Sequence, residues 1–382
     1  MTAVNIEPAL TALAAALRGE GPAVELSAGP DGSPAVELLE TPGVEDAAAV
    51  VRTSGSTGTP KATVLTLDAL AASSMATALA LKGEGQWLLA LPVQYVAGLQ
   101  VLVRSLFAGT RPWAMDLSGG FTPEAFTAAA QEMTDKLRFT SLVPTQLQRL
   151  LDAPSAETLA ALRRFNAVLL GGGPVPPALL TAARDAGVRV VTTYGSAETC
   201  GGCVYDGVPL EGVEVRLADD GRILLGGSTI AAGYLDAPEL TAEAFVEDDG
   251  VRWYRTNDLG ALDADGKLTV LGRADDVVIT GGVKVSAAHV QAELERLDGV
   301  QAAFVAGVPS AEWGQALAAY VALADGSPQG IAGFTAGAAW SPALGALAPK
   351  TVLATGELLM LPNGKPDRLA MTVRLTELHQ GK

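Results

Sequence analysis

The chain has 382 residues, and 49% of them are hydrophobic, which is enough for a large core and for two domains. Its net charge of −16 at pH 7 argues against nucleic acids and anionic membrane surfaces as partners. No apolar run has the length of a membrane span, and the first residues lack the basic-then-apolar order of a signal peptide. We therefore expect a cytoplasmic protein without stable membrane insertion, and the charge does not exclude anionic small molecules as ligands.

The part of the chain before residue 200 alternates between apolar strands and helices. Thr66 is a suitable N-cap for an alanine-rich helix, and Thr122 followed by Pro123 begins another. Apolar strands that alternate with helices indicate a parallel or mixed α/β sheet. The predicted helices are 8–17, 67–81, 98–107, one from 122, one ending at 151, and 177–186, and the predicted strands are 47–51, 62–66, 86–91, 138–143, 166–170 and 188–193.

Past residue 210 the pattern changes to β-hairpins. Asp219-Asp220-Gly221 separates two β-prone runs, and a second turn falls at 263–266. A smaller α/β segment follows, with a helix over 287–297, strands over 302–306 and 316–323, and a last helix from Asp367.

The fold class that this order predicts is α/β. The large N-terminal domain, residues 1–274, has mixed sheets packed with helices and a β-rich subdomain. The small C-terminal domain, residues 275–382, is α+β, and the boundary falls at Asp275, where the β-rich stretch ends.

Two cysteines, Cys200 and Cys203, are spaced as CxxC. They cannot complete a zinc site, because the chain has no second pair and no histidine nearby. A thioredoxin-like role stays an alternative on spacing alone. We favour two reduced thiols that pack near a pocket.

A loop rich in glycine, serine and threonine, SGSTGTPK at 54–61, joins two β-prone runs. Its backbone N–H groups and small hydroxyls suit phosphate oxygens. The loop differs from the Walker P-loop, because Pro60 precedes Lys61 and Ala62 stands where a magnesium-binding hydroxyl would be. A solvent-exposed hairpin loop is the alternative. The candidate phosphate-binding residues are Thr53, Ser54, Gly55, Ser56, Thr57, Gly58 and Lys61.

Further strings follow this loop along the chain. They are LPVQYVAG at 91–98, GGGP at 171–174, YGSAET at 194–199, YRTNDLG at 254–260, GRADD at 272–276 with GGVKV at 281–285, and LPNGKPDR at 361–368. Their content and order resemble the acyl-adenylate-forming enzymes, which include acyl-CoA synthetases, luciferases and peptide-synthetase adenylation domains. Each string alone is weak evidence, and their shared order is what carries the resemblance.

The resemblance implies a reaction in two halves, with ATP, Mg²⁺ and CoA as cofactors or co-substrates. A carboxylate attacks the α-phosphorus of ATP and releases pyrophosphate, and a thiolate then attacks the acyl-adenylate and releases AMP. Such an enzyme mainly positions its reactants and neutralises charge. This fits a chain that lacks a His–Ser or His–Cys arrangement.

The resemblance also assigns roles to residues. Glu198 would be the magnesium ligand, and Lys365 would place its charge at the α-phosphate and the acyl carboxylate. Asp258 would accept hydrogen bonds from the ribose hydroxyls, and Arg273 would donate to the ribose. Tyr194 would stack on the adenine. The other residues implied at the nucleotide and CoA sites are Gly171, Gly172, Gly173, Gly195, Ser196, Thr199 and Lys284.

Each of these roles has a plain structural alternative. Glu198 also suits a helix cap, Asp258 a turn, and Lys365 a solvated loop charge. Lys284 also suits an ordinary strand position. Asp275 is the predicted hinge about which the small domain pivots between the two half-reactions.

The short N-terminal region, with the strings at 91–105 and 198–207, resembles the o-succinylbenzoate–CoA ligase branch of the family, which serves menaquinone biosynthesis. The acyl pocket would then include Gln94, Tyr95, Gln100 and Arg104, which lie in the right stretch to recognise the second carboxylate. Gln100 and Arg104 share a helix face at i, i+4. The alternative for Arg104 is a surface or inter-helix ion pair.

The chain departs from the family pattern at three places. Gln94 and Tyr95 stand where the pocket loop usually has a histidine, Asn257 where it has glycine, and Ala197 where it usually has threonine. The alternatives are a ligase for another aryl or short-chain acid, an adenylation domain that feeds a carrier protein, and a silent nucleotide-binding protein. No carrier domain with an attachment serine is visible, which favours free CoA. The sequence does not determine the oligomeric state, and a homodimer is one alternative.

Overall fold

The computed structural model describes residues 4–29, 32–41, 43–54, 60–337, 342, 344–361 and 366–381. The chain forms two compact units. The first consists of Met1–Arg216, Leu224–Thr256 and Asp263–Leu268, and the second of Leu217–Ile223, Asn257–Leu262 and Thr269–Lys382. The predicted boundary at Asp275 stays a prediction. Two short segments that precede it along the chain, Leu217–Ile223 and Asn257–Leu262, belong to the second unit.

The structure confirms the mixed α/β class. The helices are α1 Glu7–Ala16, α2 Leu67–Leu81, α3 Val96–Phe107, α4 Pro123–Gln131, α5 Pro144–Leu151, α6 Ala156–Arg163, α7 Pro177–Asp185, α8 Pro238–Ala244, α9 Ala287–Leu294, α10 Pro328–Gly337 and α11 Arg368–Gln380.

The strands of the first part of the chain are β1 Ala23–Ala28, β2 Pro34–Leu39, β3 Ala47–Ser54, β4 Pro60–Thr66, β5 Gln86–Leu89, β6 Trp113–Ala114, β7 Arg138–Leu142, β8 Ala167–Leu170, β9 Val190–Ser196, β10 Gly201–Tyr205 and β11 Val208–Pro209. The later strands are β12 Val213–Leu217, β13 Arg222–Gly227, β14 Gly233–Tyr234, β15 Phe245–Asp248, β16 Val251–Leu262, β17 Leu268–Arg273, β18 Val277–Thr280, β19 Val283–Ser286, β20 Val300–Ser310, β21 Gly314–Leu323 and β22 Thr351–Thr355.

Two sheets of the first unit carry most of the candidate residues. One has the strand order β14-β4-β3-β1-β2, and the other has the order β11-β10-β9-β8-β7-β5-β6. In the second sheet, β6, β5, β7, β8 and β9 run parallel, while β10 and β11 are antiparallel to their neighbours. Every residue of β5, β7 and β8 is buried, as expected for a parallel sheet that helices cover on both faces.

Local chemistry explains where the helices begin. The hydroxyls of Thr66 and Thr122 each accept a hydrogen bond from the backbone N–H three residues on, at 3.2 Å in both cases. The predicted last helix begins one residue later than expected, because Asp367 is its cap and accepts from the N–H of Ala370 at 3.0 Å. Helix α6 was not predicted, although Ser155 caps it in the same way. The helix has eight residues, Ala156–Arg163.

The second unit has a sheet of order β19-β18-β21-β20, with β22 paired to β21. Side chains alternate between its two faces along β20. Ala303 and Val305 join a core with α9, whereas Phe304 and Val308 join a core with α11. In the structure the strands predicted at 302–306 and 316–323 are longer, and they pair with each other in antiparallel orientation. No helix in the described part of the chain is both long and apolar enough to cross a membrane.

Candidate active site

The YGSAET string lies where β9 ends and a 3₁₀-helix, Ala197–Thr199, begins. Thr199 closes this turn, because its hydroxyl accepts from the N–H of Ser196 at 3.0 Å and donates to the carbonyl of Gly201 at 2.7 Å. A Cβ atom on Gly195 would lie 2.1 Å from that same carbonyl oxygen. Glycine and threonine are therefore needed here for the backbone itself, whatever they contribute to a ligand.

Glu198 is the central residue of that 3₁₀-helix and is only 6% exposed. Its carboxylate accepts a hydrogen bond from the phenol of Tyr234 at 2.9 Å. The ammonium of Lys61 lies 5.0 Å from the centre of the Tyr234 ring. Lys61, Glu198 and Tyr234 thus form one connected group, which we call the Glu198 cluster. Two of its members were assigned from the sequence, and Tyr234 was missed.

Burial is the main reason that the pKa of Tyr234 is raised above its ordinary value, and the Glu198 carboxylate adds to the effect. The phenol therefore stays protonated, and its O–H remains able to donate a hydrogen bond to Glu198. No short-range pattern in the sequence marks Tyr234, although the structure requires glycine at the position before it. Gly233 has a φ of +147°, and a Cβ there would lie 2.4 Å from the methyl of Thr241. Only glycine accommodates this φ angle and this close approach to Thr241.

The candidate phosphate loop lies between two strands, as predicted, and the two strands pair with each other. Strands β3 and β4 are antiparallel, and Thr53 lies directly opposite Lys61. Gly55, Ser56, Thr57 and Gly58 lie outside the described residues, as does the side chain of Ser54. Their phosphate-binding role stays a prediction.

The GGGP string follows β8. A Cβ on Gly171 would lie 2.3 Å from the hydroxyl oxygen of Thr193 on β9, so the two strand ends approach closely. Tyr194 and Ser196 are half-buried on β9, while Gly172 and Gly173 are exposed. The hydroxyl of Ser196 is buried without a hydrogen-bond partner among the described residues. Such an atom suits a polar ligand at this strand end.

The predicted acyl-pocket residues lie on α3 and just before it. Tyr95 is the N-cap residue of α3, and Gln94 is half-buried. Gln100 is 1% exposed, and its amide donates to the carbonyl of Cys200 and to the hydroxyl of Ser73. The structure therefore gives Gln100 a role in packing α3 against α2 and β10. Its part in an acyl pocket stays a prediction.

Arg104 is also buried, with 6% exposure, instead of making the surface ion pair that was the alternative. One of its terminal nitrogens lies 3.4 Å from the hydroxyl of Tyr205, and its guanidinium lies 5.0 Å from the ring centre of Trp87. Tyr205 is held in turn by Thr77 at 3.0 Å. The spacing of Gln100 and Arg104 does place both on one buried helix face.

The second unit contains the other assigned nucleotide residues. Asp258 and Arg273 form an ion pair with 3.9 Å between their closest atoms, and both side chains are partly exposed. Asn257, one of the departures from the family pattern, accepts a hydrogen bond from Arg222 at 3.0 Å. Lys284 lies on β19 as an exposed strand residue.

Two strings that are far apart in sequence meet within the second unit. Arg368, the last residue of LPNGKPDR, donates to the carboxylate of Asp276, the last residue of GRADD. Its guanidinium also lies 5.3 Å from the ring centre of Phe304. Lys365 and the side chain of Asp275 lie outside the described residues, so the catalytic and hinge assignments stay predictions.

Both cysteines are free and fully buried. Burial raises the pKa of both thiols, that of Cys203 to about 12. A reactive thiolate needs a lowered pKa, so this environment suits packed, reduced thiols and not redox chemistry.

The fold and the comparison with known proteins together define an adenylate-forming enzyme. Residues 7–235 match the family described as AMP-binding enzyme, and the chain belongs to that family. This confirms the resemblance identified from the ordered strings.

A protein of Mycobacterium tuberculosis (strain H37Rv) named "Probable 2-succinylbenzoate--CoA ligase" is 46% identical to this chain over 286 residues, covering 74% of this chain and 73% of that protein. The structure of o-succinylbenzoate CoA synthetase from Bacillus subtilis in complex with its acyl-adenylate intermediate has a TM-score of 0.70 and 25% identity, covering 88% of this chain and 70% of that one. The structure of ATP-bound MatB from Rhodopseudomonas palustris has a TM-score of 0.74 and 26% identity, and the match covers 93% of this chain and 75% of that one.

Proposed function

We propose that the protein is an ATP-dependent acid–CoA ligase of menaquinone biosynthesis. It converts o-succinylbenzoate, ATP and CoA to o-succinylbenzoyl-CoA, AMP and pyrophosphate through an acyl-adenylate. The observation that carries this proposal is the 46% identity, over three quarters of the chain, to the mycobacterial protein of that name. A cytoplasmic location is part of the proposal, because ATP and CoA are available there. The proposal includes a homodimer, which sedimentation would test.

The donor set in the first unit fits a magnesium ion. Mg²⁺ is usually held by one or two protein carboxylates, with substrate phosphates and water in the other positions. Among the described residues no group of three or more potential metal ligands occurs, and Glu198 is the buried carboxylate at this strand end. When bound, the ion would offset charge on the phosphate oxygens. Glu198 would hold it there.

The other residues would bind and orient the substrates. Thr53 and Lys61 face each other at the base of the phosphate loop, and there they would bind the β- and γ-phosphates. Tyr194 would stack on the adenine, and Asp258 would accept from the ribose hydroxyls. Lys365 would orient the attacking carboxylate and offset charge on the α-phosphate.

The second half-reaction would follow a movement of the small domain about Asp275. Lys284, in the GGVKV string, would then face CoA while Lys365 leaves the site. Both residues must act at one site at different times, and a hinge of a few residues is enough for that. Asp275→Pro, which fixes one φ angle, is expected to slow one half-reaction more than the other.

Acid-dependent exchange of pyrophosphate into ATP tests the first half of this proposal. We expect exchange with o-succinylbenzoate, and thioester formation when CoA is added. The panel should include benzoate, malonate and a short-chain monocarboxylate, because a shared fold does not by itself fix the substrate. If exchange is faster with another acid, that acid replaces o-succinylbenzoate as the proposed substrate. Exchange with none would favour a silent nucleotide-binding protein.

A further inference from the structure

Tyr234 connects the candidate metal ligand to a neighbouring sheet. Its phenol donates to the carboxylate of Glu198 at 2.9 Å, and three residues earlier the N–H of Ala231 donates to the backbone carbonyl of Glu198 at 2.9 Å. The segment that carries Tyr234 therefore holds both the side chain and the backbone of the carboxylate residue. These contacts link β14 to the end of β9 within the first unit.

The ring of Tyr234 is itself fixed from several sides. It packs edge-on against Phe245, with 5.5 Å between ring centres, and the ammonium of Lys61 lies over its face. Its backbone N–H donates to the hydroxyl of Thr241 at 2.9 Å. The residue is 6% exposed. A phenol held this firmly has little freedom to leave the carboxylate.

We propose that Tyr234 is a positioning residue that fixes the orientation of the Glu198 carboxylate for magnesium–ATP. The inference rests on the proposed function. A carboxylate on a flexible glutamate side chain must lose rotational freedom before it can bind a metal. A hydrogen bond to one oxygen removes that freedom in advance and leaves the other oxygen for the ion. Tyr234 would act through Glu198, without touching the nucleotide.

The test is Tyr234→Phe, which removes the hydroxyl and keeps the ring on Phe245 and under Lys61. A hydrogen bond to a charged group typically changes binding by roughly 10- to 100-fold. We expect the Mg²⁺ concentration for half-maximal pyrophosphate exchange to rise by about tenfold or more, with part of the rate restored at high Mg²⁺. Calorimetry should show weaker binding of magnesium–ATP by a similar factor, and unchanged binding of ATP in EDTA.

Three matched variants separate positioning from a loss of folded protein. Tyr320→Phe removes the hydroxyl of a tyrosine that is 1% exposed in the second unit, and it should leave the Mg²⁺ dependence unchanged. Thr241→Val removes the bond to the Tyr234 backbone and should give a smaller shift in the same direction. In a Glu198→Gln background, Tyr234→Phe should add less than about twofold, because both act through one carboxylate.

The outcomes distinguish this inference from the proposed function. An unchanged half-saturating Mg²⁺ concentration in Tyr234→Phe, or equal loss of ATP affinity with and without Mg²⁺, would overturn the positioning role. If Tyr234→Phe does not fold, Thr241→Val and its cycle with Glu198→Gln decide the question. If the wild-type protein catalyses no exchange with any acid, the proposed function fails, while calorimetry with magnesium–ATP still tests Tyr234.

Discussion

The two units hold their candidate residues in different ways. In the first unit, Glu198 is 6% exposed and is bound by the phenol of Tyr234. In the second unit, Asp258 and Asp276 pair with arginines, and the side chains of these pairs are 19–49% exposed. These contacts are thus a buried hydrogen bond in the first unit and partly exposed ion pairs in the second.

This difference determines how much stability is lost when a contact is removed. A buried polar group left without its partner costs about 1–3 kcal/mol, whereas an exposed ion pair contributes about 0–1 kcal/mol. We therefore expect most substitutions at the buried contacts of the first unit to lower stability. At the ion pairs of the second unit we expect stability to stay nearly constant, whatever happens to activity.

The largest effect on activity is expected from Lys365→Ala. Removing one preorganised charge from a transition state typically costs about 10²–10³ in rate. Acyl-adenylate formation should fall by that factor or more. Thioester formation from pre-made o-succinylbenzoyl-AMP and CoA should stay near the wild-type rate, because no phosphate charge develops at that position in the second step. The measurement is the rate of each half-reaction on its own.

Lys365→Arg is the matched control, because it keeps the charge and changes its shape and reach. It should also adenylate poorly. If Lys365→Ala slows the thioester step as much as the adenylation step, the assignment of Lys365 to one half-reaction is wrong.

Glu198→Gln is expected to be an exception to the rule that substitutions at the buried contacts of the first unit lower stability. The amide oxygen can still accept from Tyr234, while the metal ligand loses its charge. Adenylation is expected to fall by about 10²–10³, and the melting temperature to stay the same or rise, because an ionised carboxylate is costly to bury. Pyrophosphate exchange measures the adenylation rate, and calorimetry on the same preparation measures the melting temperature. A variant that keeps most of its activity at saturating Mg²⁺ would refute the ligand assignment.

Short-range chemistry accounts for what the sequence could predict. The cap at Thr66 and the helix that follows depend on residues a few positions apart, and both are present in the structure. The ordered strings identified the family for a similar reason, since each is a local signature.

What could not be predicted depends on residues far apart in sequence. Tyr234 lies 36 positions from Glu198, and Gln100 lies 100 positions from Cys200. No periodicity or propensity reports such pairs. The partners that surround Arg104 could not be identified for the same reason, because Tyr205 and Trp87 are not its neighbours in sequence.

Gln100→Leu is the next test of the buried contacts. The substitution keeps a similar volume and removes the donor to the carbonyl of Cys200 and to Ser73. We expect a loss of about 1–3 kcal/mol in the free energy of unfolding, measured with denaturant. Gln94→Leu, at a half-buried position in the same stretch, is the control and should cost less. A change in acid preference with no loss of stability would instead favour the acyl-pocket role of Gln100.

The smallest effect is expected from the ion pair of Asp276 and Arg368 in the second unit. Its coupling energy can be measured with a double-mutant cycle of Asp276→Asn and Arg368→Gln. Because half of the Arg368 side chain is exposed, water and salt screen the pair. We expect a coupling of no more than about 1 kcal/mol at low ionic strength, and less in 1 M salt.

The same cycle on Arg216 and Asp248 tests whether exposure or unit membership sets this value. That pair belongs to the first unit, has 2.7 Å between its closest atoms, and is 45% and 58% exposed. If exposure decides, Arg216→Gln with Asp248→Asn should also give about 1 kcal/mol or less, despite the shorter distance. A coupling above about 2 kcal/mol for Asp276–Arg368 alone would show that exposure does not set the coupling energy, because both pairs are partly exposed.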